Sequence, residues 1–300
     1  MLHPQAAKVI AATADDISVA DARFDVVAER ERVRKANLKQ PREDVARVED
    51  LDARGVRVRL YAAPDAHGVI VHAHGGGFVL NDIDVHDRIA RMLANRSGAT
   101  VISVDYRRPP EHPYPAAVDD MDAVVAWLAE TDDPDVSGPI AVHGDSAGAC
   151  LALVAALRHR ERFAAQVLIY PFIDAARDAT SYCADGVGFE PDEARWYWSA
   201  YAGGDQQRLH LLADPNFSPV DTDYAGLPPT LIATAEHDIL RTEGEALAVA
   251  MEQAGVSVVA TRYLGMIHGF WRFVDQFDAS EVLMGQVVGF LREHGVGRGH

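Results

Sequence analysis

The chain has 300 residues, 48% of them hydrophobic and 24% charged, enough for one large buried core or a core plus a small cap. Its formal net charge of −17 disfavours nucleic acid and anionic membrane surfaces as partners, since both need a basic face. It argues mildly against a highly anionic substrate too, an average that a local basic pocket would override.

Two cysteines, Cys150 and Cys183, make no disulfide framework and no Cys-x-x-Cys motif, and Cys150 reads as a small core residue. The first residues, Met1-Leu2-His3-Pro4-Gln5, lack a basic stretch followed by an apolar one, so no signal peptide is read there. No run reaches the length of a membrane span. A cytoplasmic location is the expectation.

Residues 1–45 are helix-like and end in a dense mixture of charges, Glu29-Arg30-Glu31-Arg32-Val33-Arg34-Lys35, which suits a solvated helix face. Strand signals begin near Val45. Val56–Tyr61 alternates with period two, as a strand with one wet face should, and Val69–Ala73 follows as a more buried strand. A helix is predicted from Val85 to Asn95, a strand over Ala99–Val104 and a helix over Ala116–Glu130. Pro139–His143 reads as strand and Ala149–Leu157 as helix, then Ala165–Tyr170 as strand. Residues 175–225 lose the alternation and carry the aromatic knot Trp196-Tyr197-Trp198 with Tyr201, which reads as an insertion. Strand returns at Pro229–Thr234, helix at Glu243–Ala254 and strand from Val256; a last helix covers about Ser280–Glu293. Apolar strands alternating with helices predict an α/β fold with a mostly parallel sheet covered on both faces, without internal repeats.

In such sheets, ligands sit at the carboxyl ends of strands. Gly144-Asp145-Ser146-Ala147-Gly148 stands where a buried strand turns into a helix. That turn would push the Ser146 hydroxyl out above the sheet, and the Ala147 N–H would start the helix beside it. After Val69–Ala73 comes His74-Gly75-Gly76-Gly77-Phe78, whose glycines leave backbone N–H groups open to a negatively charged oxygen. A flexible loop is the bland alternative. A phosphate cradle lacks its Gly-x-x-x-x-Gly-Lys-Ser/Thr or Gly-x-Gly-x-x-Gly pattern. Asp238 and His268 each follow a strand, so Ser146, Asp238 and His268 come in the order Ser…Asp…His of α/β hydrolases. His237 is the weaker base, tied to the acid in one turn. His72 and His74 are spaced to point the same way along a strand, the rival metal reading, but no His-Glu-x-x-His accompanies them.

These residues resemble the hormone-sensitive-lipase-like branch of the α/β-hydrolases. The resemblance rests on His74–Phe78, Asp105-Tyr106-Arg107-Arg108-Pro109-Pro110-Glu111-His112-Pro113-Tyr114-Pro115-Ala116-Ala117, Gly144–Gly148, Asp238-Ile239-Leu240-Arg241-Thr242-Glu243-Gly244 and His268-Gly269-Phe270. Two departures, Ala149 for a common glycine and Arg108-Pro109 for the usual Leu-Ala, are read as remote from the chemistry. The resemblance implies an α/β-hydrolase domain over residues 46–300, with a helical cap built from residues 1–45 and part of the 175–225 insertion. It implies a nucleophile at Ser146, an acid at Asp238, a base at His268, and an oxyanion hole from the N–H groups of Gly76, Gly77 and Ala147.

The expected activity is hydrolysis of short-to-medium carboxylic esters through an acyl-enzyme, with no cofactor and no metal; amide, lactone and thioester bonds would use the same machinery. Phe78, Trp196, Tyr197, Trp198 and Tyr201 are the candidate substrate-binding residues, the knot either walling a pocket or packing the cap onto the body. The partners implied are a small-molecule ester and possibly a second copy, since the family often dimerises through edge strands. The rival class is a non-catalytic small-molecule binder on the same fold. Plant gibberellin receptors resemble this family but lack the histidine that His268 supplies here.

Overall fold

The computed structural model describes residues 1–178 and 181–298, so positions 179–180 of the expected insertion and 299–300 of the expected catalytic domain lie outside the described residues. Helices α1 (Pro4–Ala12) and α2 (Val26–Leu38) come first. Then follow β1 (Arg47–Ala53), β2 (Val56–Ala62), β3 (Val69–Ala73), α3 (Asp87–Ser97), β4 (Thr100–Val104), α4 (Ala116–Trp127), β5 (Ile140–Asp145), α5 (Ala147–Arg158) and β6 (Ala165–Ile169). The insertion holds α6 (Pro191–Ala202) and α7 (Asp205–Leu211), and β7 (Thr230–His237), α8 (Arg241–Gln253), β8 (Val258–Ile267) and α9 (Asp278–Glu293) complete the chain.

The strands form one sheet in the order β1-β2-β4-β3-β5-β6-β7-β8. β2 pairs antiparallel with β1 and β4, and every pairing from β4 through β8 is parallel. Parallel strands need covered faces, and the inner ones (β3, β4 and β6) are buried along their whole length. α3 and α9 fill one side of the sheet, α4, α5 and α8 the other. The strand signals read from near Val45 did not bound β1, because Arg47-Val48-Glu49-Asp50-Leu51-Asp52-Ala53 is a charged edge strand with only Ala53 buried. β7 and β8 run further than predicted, to His237 and Ile267, with a register irregularity between Ala235 and His237. The crossovers carry His74, Ser146, Asp238 and His268 to the same carboxyl edge.

The first 45 residues hold two helices of different character. α1 docks against the β8 end, where the His3 N–H donates to the Gly265 carbonyl at 3.0 Å. α2 starts at Asp25, whose side chain accepts the Val27 and Ala28 N–H groups, and it has no buried residue. It is fastened by charge: Arg30 pairs with Glu111 at 2.9 Å and donates to the carbonyls of Val79 and Pro109, and Arg34 pairs with Asp84 at 2.5 Å.

α6 begins with a capping box between Glu190 and Glu193, with Pro191 at its first position, and ends at left-handed Gly203. Its Trp198 and Tyr201 sink into a cluster with Phe78, Phe172 and Phe217: the Phe78 and Tyr201 rings stack at 3.9 Å, and Trp198 lies 4.6 Å from Phe172. Truncating a buried tryptophan costs about 3–5 kcal/mol. Trp198→Ala is therefore expected to lower the midpoint of thermal unfolding by roughly 5–8 °C. An unchanged midpoint would mean that α6 unfolds apart from the sheet.

A polar layer lies inside the sheet below the nucleophile turn. His72 on β3 and His143 on β5 face each other with Nδ1 atoms 2.9 Å apart, and His86 stands beside His72. Burial pushes His143 down to about 4, and burial followed by the neighbouring imidazoles pushes His72 and His74 well below the ordinary histidine value. The folded protein thus binds fewer protons here than the unfolded chain, whose histidines titrate near 6.5. Stability is complete above that value and falls as pH drops toward about 4, the value for His143. Thermal unfolding between pH 7.5 and 4.5 is expected to show a decline of at least about 5 °C, shallower in His143→Gln. A flat profile in the wild type would contradict the neutral buried layer.

Candidate active site

Ser146 occupies a turn that few residues tolerate. Its backbone is at φ 55° and ψ −122°, a strained conformation held because strand β5 ends at Asp145 and helix α5 begins at Ala147. Gly144 and Gly148 permit the crossing, since a Cβ on Gly144 would collide with the Gly148 carbonyl and one on Gly148 with the Ala73 carbonyl. The Ser146 N–H is fixed by the Ile169 carbonyl at 2.8 Å, and the Ser146 carbonyl accepts from Phe172 at 3.2 Å.

Three predicted residues meet above this turn. Ser146 Oγ lies 2.9 Å from His268 Nε2, and His268 Nδ1 lies 2.7 Å from Asp238 Oδ2. Asp238 is fully buried, and its other oxygen accepts the Leu240 N–H at 2.9 Å. With the Nδ1–H donated to that carboxylate, Nε2 presents a lone pair to the serine hydroxyl. The His268 ring sits between Tyr170 and Phe189, at centroid distances of 4.7 and 4.9 Å. His237 instead directs Nδ1 at the Asp185 carbonyl, 3.2 Å away.

The glycine loop is tied to the serine turn by Asp145. Its Oδ1 accepts the Gly75 N–H at 3.0 Å and lies 3.4 Å from His86 Nε2. Burial alone would raise this carboxyl, but the surrounding imidazoles, His86 foremost, outweigh it and hold Asp145 well below the carboxylate range. The Gly75 carbonyl accepts from Asn81 Nδ2 at 3.0 Å, and the Asn81 carbonyl in turn accepts from Arg108. Arg108, read from the sequence as remote from the chemistry, therefore touches the residue that braces the loop. Among the described residues no protein acceptor engages the N–H of Gly76 or Gly77, and the Ala147 N–H opens α5, where the helix supplies no partner. His74 packs on Tyr106 with Nδ1 at the Gly75 carbonyl, and His72 faces His143. These two do not converge on one point, and among the described residues no cluster of three or more His, Cys, Asp or Glu is placed to hold a metal ion.

The aromatic candidates separate. Phe78, Trp198 and Tyr201 are buried in the cluster that joins α6 to the body, the packing alternative. Trp196 stands edge-on to Phe24 at 5.7 Å. Tyr197 reaches the glycines of the loop, where its ring packs directly on Gly77. The sequence reading missed Tyr170, Phe189, Asn81 and the role of Asp145. Tyr170 lies just past β6, so the strand-end rule that found the other residues would have found it; Phe189 lies in the aperiodic insertion and carries no such signal.

Comparison with known proteins agrees with this architecture. The family model described as α/β hydrolase fold matches residues 70–272. The carboxylesterase NlhH of Mycobacterium tuberculosis is 36% identical over 248 residues, covering 79% of this chain and 78% of its own. The solved esterase of Pyrobaculum calidifontis superposes with a TM-score of 0.86 at 35% identity, covering 99% of this chain and 100% of that one. A solved esterase from the bacterial hormone-sensitive lipase family superposes with a TM-score of 0.85 at 27% identity, covering 98% of this chain and 99% of that one. The chain belongs to the hormone-sensitive-lipase-like esterase family of the α/β-hydrolase fold.

Proposed function

We propose that the protein is a serine hydrolase of carboxylic esters in which Ser146 is the nucleophile, His268 the base and Asp238 the group that orients it. The observation that carries this reading is the unbroken chain of contacts from Ser146 Oγ through His268 to Asp238, at 2.9 and 2.7 Å. The family's named esterases support the bond type.

As Oγ attacks the ester carbonyl, a C–O bond forms and His268 Nε2 takes the serine proton. Asp238 stabilises the imidazolium. The N–H groups of Gly76, Gly77 and Ala147 receive the oxyanion, with the α5 dipole behind Ala147. Collapse breaks the bond to the alcohol oxygen, which leaves with the proton from His268. Water then attacks the acyl-enzyme with His268 again as base, and the acid departs as Ser146 regains its proton.

Residues 1–45 with α6 and α7 act as the cap. The Tyr197 ring on Gly77 and the Phe189 ring beside His268 wall the approach to the serine, which supports short-to-medium acyl chains. The same reading makes this a cytoplasmic enzyme, in keeping with two free buried cysteines. It also makes it a homodimer through the outer edge of β8, where Val259 and Leu264 are exposed, and light scattering reads that assembly.

Hydrolysis of p-nitrophenyl acetate, butyrate, octanoate and palmitate tests the activity. The short esters are expected to turn over fastest and the palmitate hardly at all. Ser146→Ala should lose at least about a thousandfold in kcat. Equal rates in wild type and variant would remove Ser146 from the reaction.

A further inference from the structure

The two glycines of the proposed oxyanion hole carry their N–H groups on peptides whose other ends the protein holds. A peptide unit is planar and trans, so its carbonyl and its N–H point in opposite directions and turn together. The N–H of Gly76 therefore goes where the Gly75 carbonyl sends it, and the N–H of Gly77 where the Gly76 carbonyl does. The Gly76 carbonyl accepts the N–H groups of Leu80 at 2.7 Å and Val79 at 3.1 Å, a grip made by backbone. The Gly75 carbonyl is held by side chains, with Asn81 Nδ2 at 3.0 Å and His74 Nδ1 at 2.9 Å.

This loop lies against the nucleophile turn by direct contact. The Gly75 N–H donates to Asp145 Oδ1 at 3.0 Å, and a Cβ on Gly75 would come within 2.8 Å of the Asp145 carbonyl. Because neither Gly75 nor Gly76 has a Cβ, the peptide between them can rotate with little steric resistance from its own residues. Turned over, it would present its carbonyl oxygen where its N–H had been. A developing oxyanion would then be repelled at that point instead of bound. The grip on the Gly75 oxygen opposes this rotation.

His74 adjoins Gly75 in the chain, whereas Asn81 stands six residues on and is fastened independently. The Asn81 carbonyl accepts from Arg108, which belongs to the segment that follows β4. Asn81 is buried, and its backbone is at φ 63°, a left-handed conformation that glycine adopts freely and other residues rarely do. Glycine would fit this backbone more easily, but only a side chain can supply the amide nitrogen that meets the Gly75 oxygen. That oxygen needs a donor, so an aspartate of the same shape cannot replace the contact as a carboxylate.

We propose that Asn81 is a positioning residue of the reaction: its side-chain amide holds the Gly75–Gly76 peptide so that the Gly76 N–H faces the oxyanion. This rests on the esterase reading. The effect belongs to the transition state, because the ester carbonyl of the ground state carries little of the charge that the N–H meets.

The test uses wild type, Asn81→Gly and Asn81→Asp with p-nitrophenyl butyrate as substrate and an alkyl trifluoromethyl ketone as inhibitor. Ser146 Oγ bonds to the ketone carbon, its proton passes to His268, and the ketone oxygen becomes a tetrahedral oxyanion. Asn81→Gly suits the left-handed backbone, so its thermal midpoint should stay within about 3 °C of wild type. Its kcat should fall at least about tenfold while KM changes less than about threefold, and the inhibition constant of the ketone should rise in proportion. Asn81→Asp, which sets a carboxylate against the Gly75 carbonyl, should lose at least as much. A wild-type kcat in Asn81→Gly overturns the proposal. A fall in kcat that leaves the affinity for the ketone unchanged marks a merely structural role and overturns it too. Should Asn81→Gly fail to fold, Asn81→Asp decides on the same two readouts. A wild type that turns over no ester and is untouched by the ketone removes the esterase reading, and this proposal falls with it. An active wild type matched by both variants removes the proposal alone.

Discussion

At the start of α5 the helix meets the ends of β3 and β5 backbone to backbone, with no side chain between. Gly144 and Gly148 make that contact possible, and its consequence is the strained backbone of Ser146. A helix pressed so tightly on the sheet directs its first free N–H groups at the space beside the serine hydroxyl. It also brings Asp145 within reach of Gly75, so the serine turn and the glycine loop become one rigid piece. The histidine and aspartate then need only arrive from β8 and β7, whose parallel pairing fixes where their loops begin. Geometry at the tenth-of-an-ångström scale is thus set by backbone packing, and the reactive side chains inherit it.

Beneath this contact lies a layer of buried imidazoles that a purely apolar core would not contain. His72, His143 and His86 surround the carboxylate of Asp145, and that carboxylate anchors the loop. Burying an anion next to polarisable, proton-bearing rings compensates part of its lost hydration. The layer ties the electrostatics of the core to the shape of the loop above it, so charge in the interior serves to hold backbone in place.

Much of this was legible in the sequence, for identifiable reasons. The inner strands read clearly because they are buried on both faces and uniformly apolar, and the strand-end rule located Ser146, Asp238 and His268. β1 was not bounded within the strand signals that begin near Val45, because a charged edge strand has neither burial nor alternation. The ends of β7 and β8 were placed too early because Glu236-His237 and Gly265 look like loop residues, while a neighbouring parallel strand was available to extend the pairing. The aromatic knot stayed ambiguous because burial of Trp198 and contact of Tyr197 with Gly77 depend on the rotation of one helix, which 175–225 carries no periodic signal to fix. Phe189 and Asn81 act through contacts with residues distant in the chain, and nothing local marks them.

The fastening of α2 has a consequence for how the helix responds to its surroundings. A helix that buries no residue contributes little to the cooperative fold, so its release requires breaking ion pairs and leaves the core intact. Arg30 reaches from α2 to the Val79 carbonyl, within the loop that runs on from Gly75, Gly76 and Gly77. The helix and the glycine loop therefore share a bolt made of charge. Dissolved ions screen such a bolt and the hydrophobic core does not feel them. The attachment of α2 is in this way separated from the stability of the core and handed to the ionic composition of its surroundings.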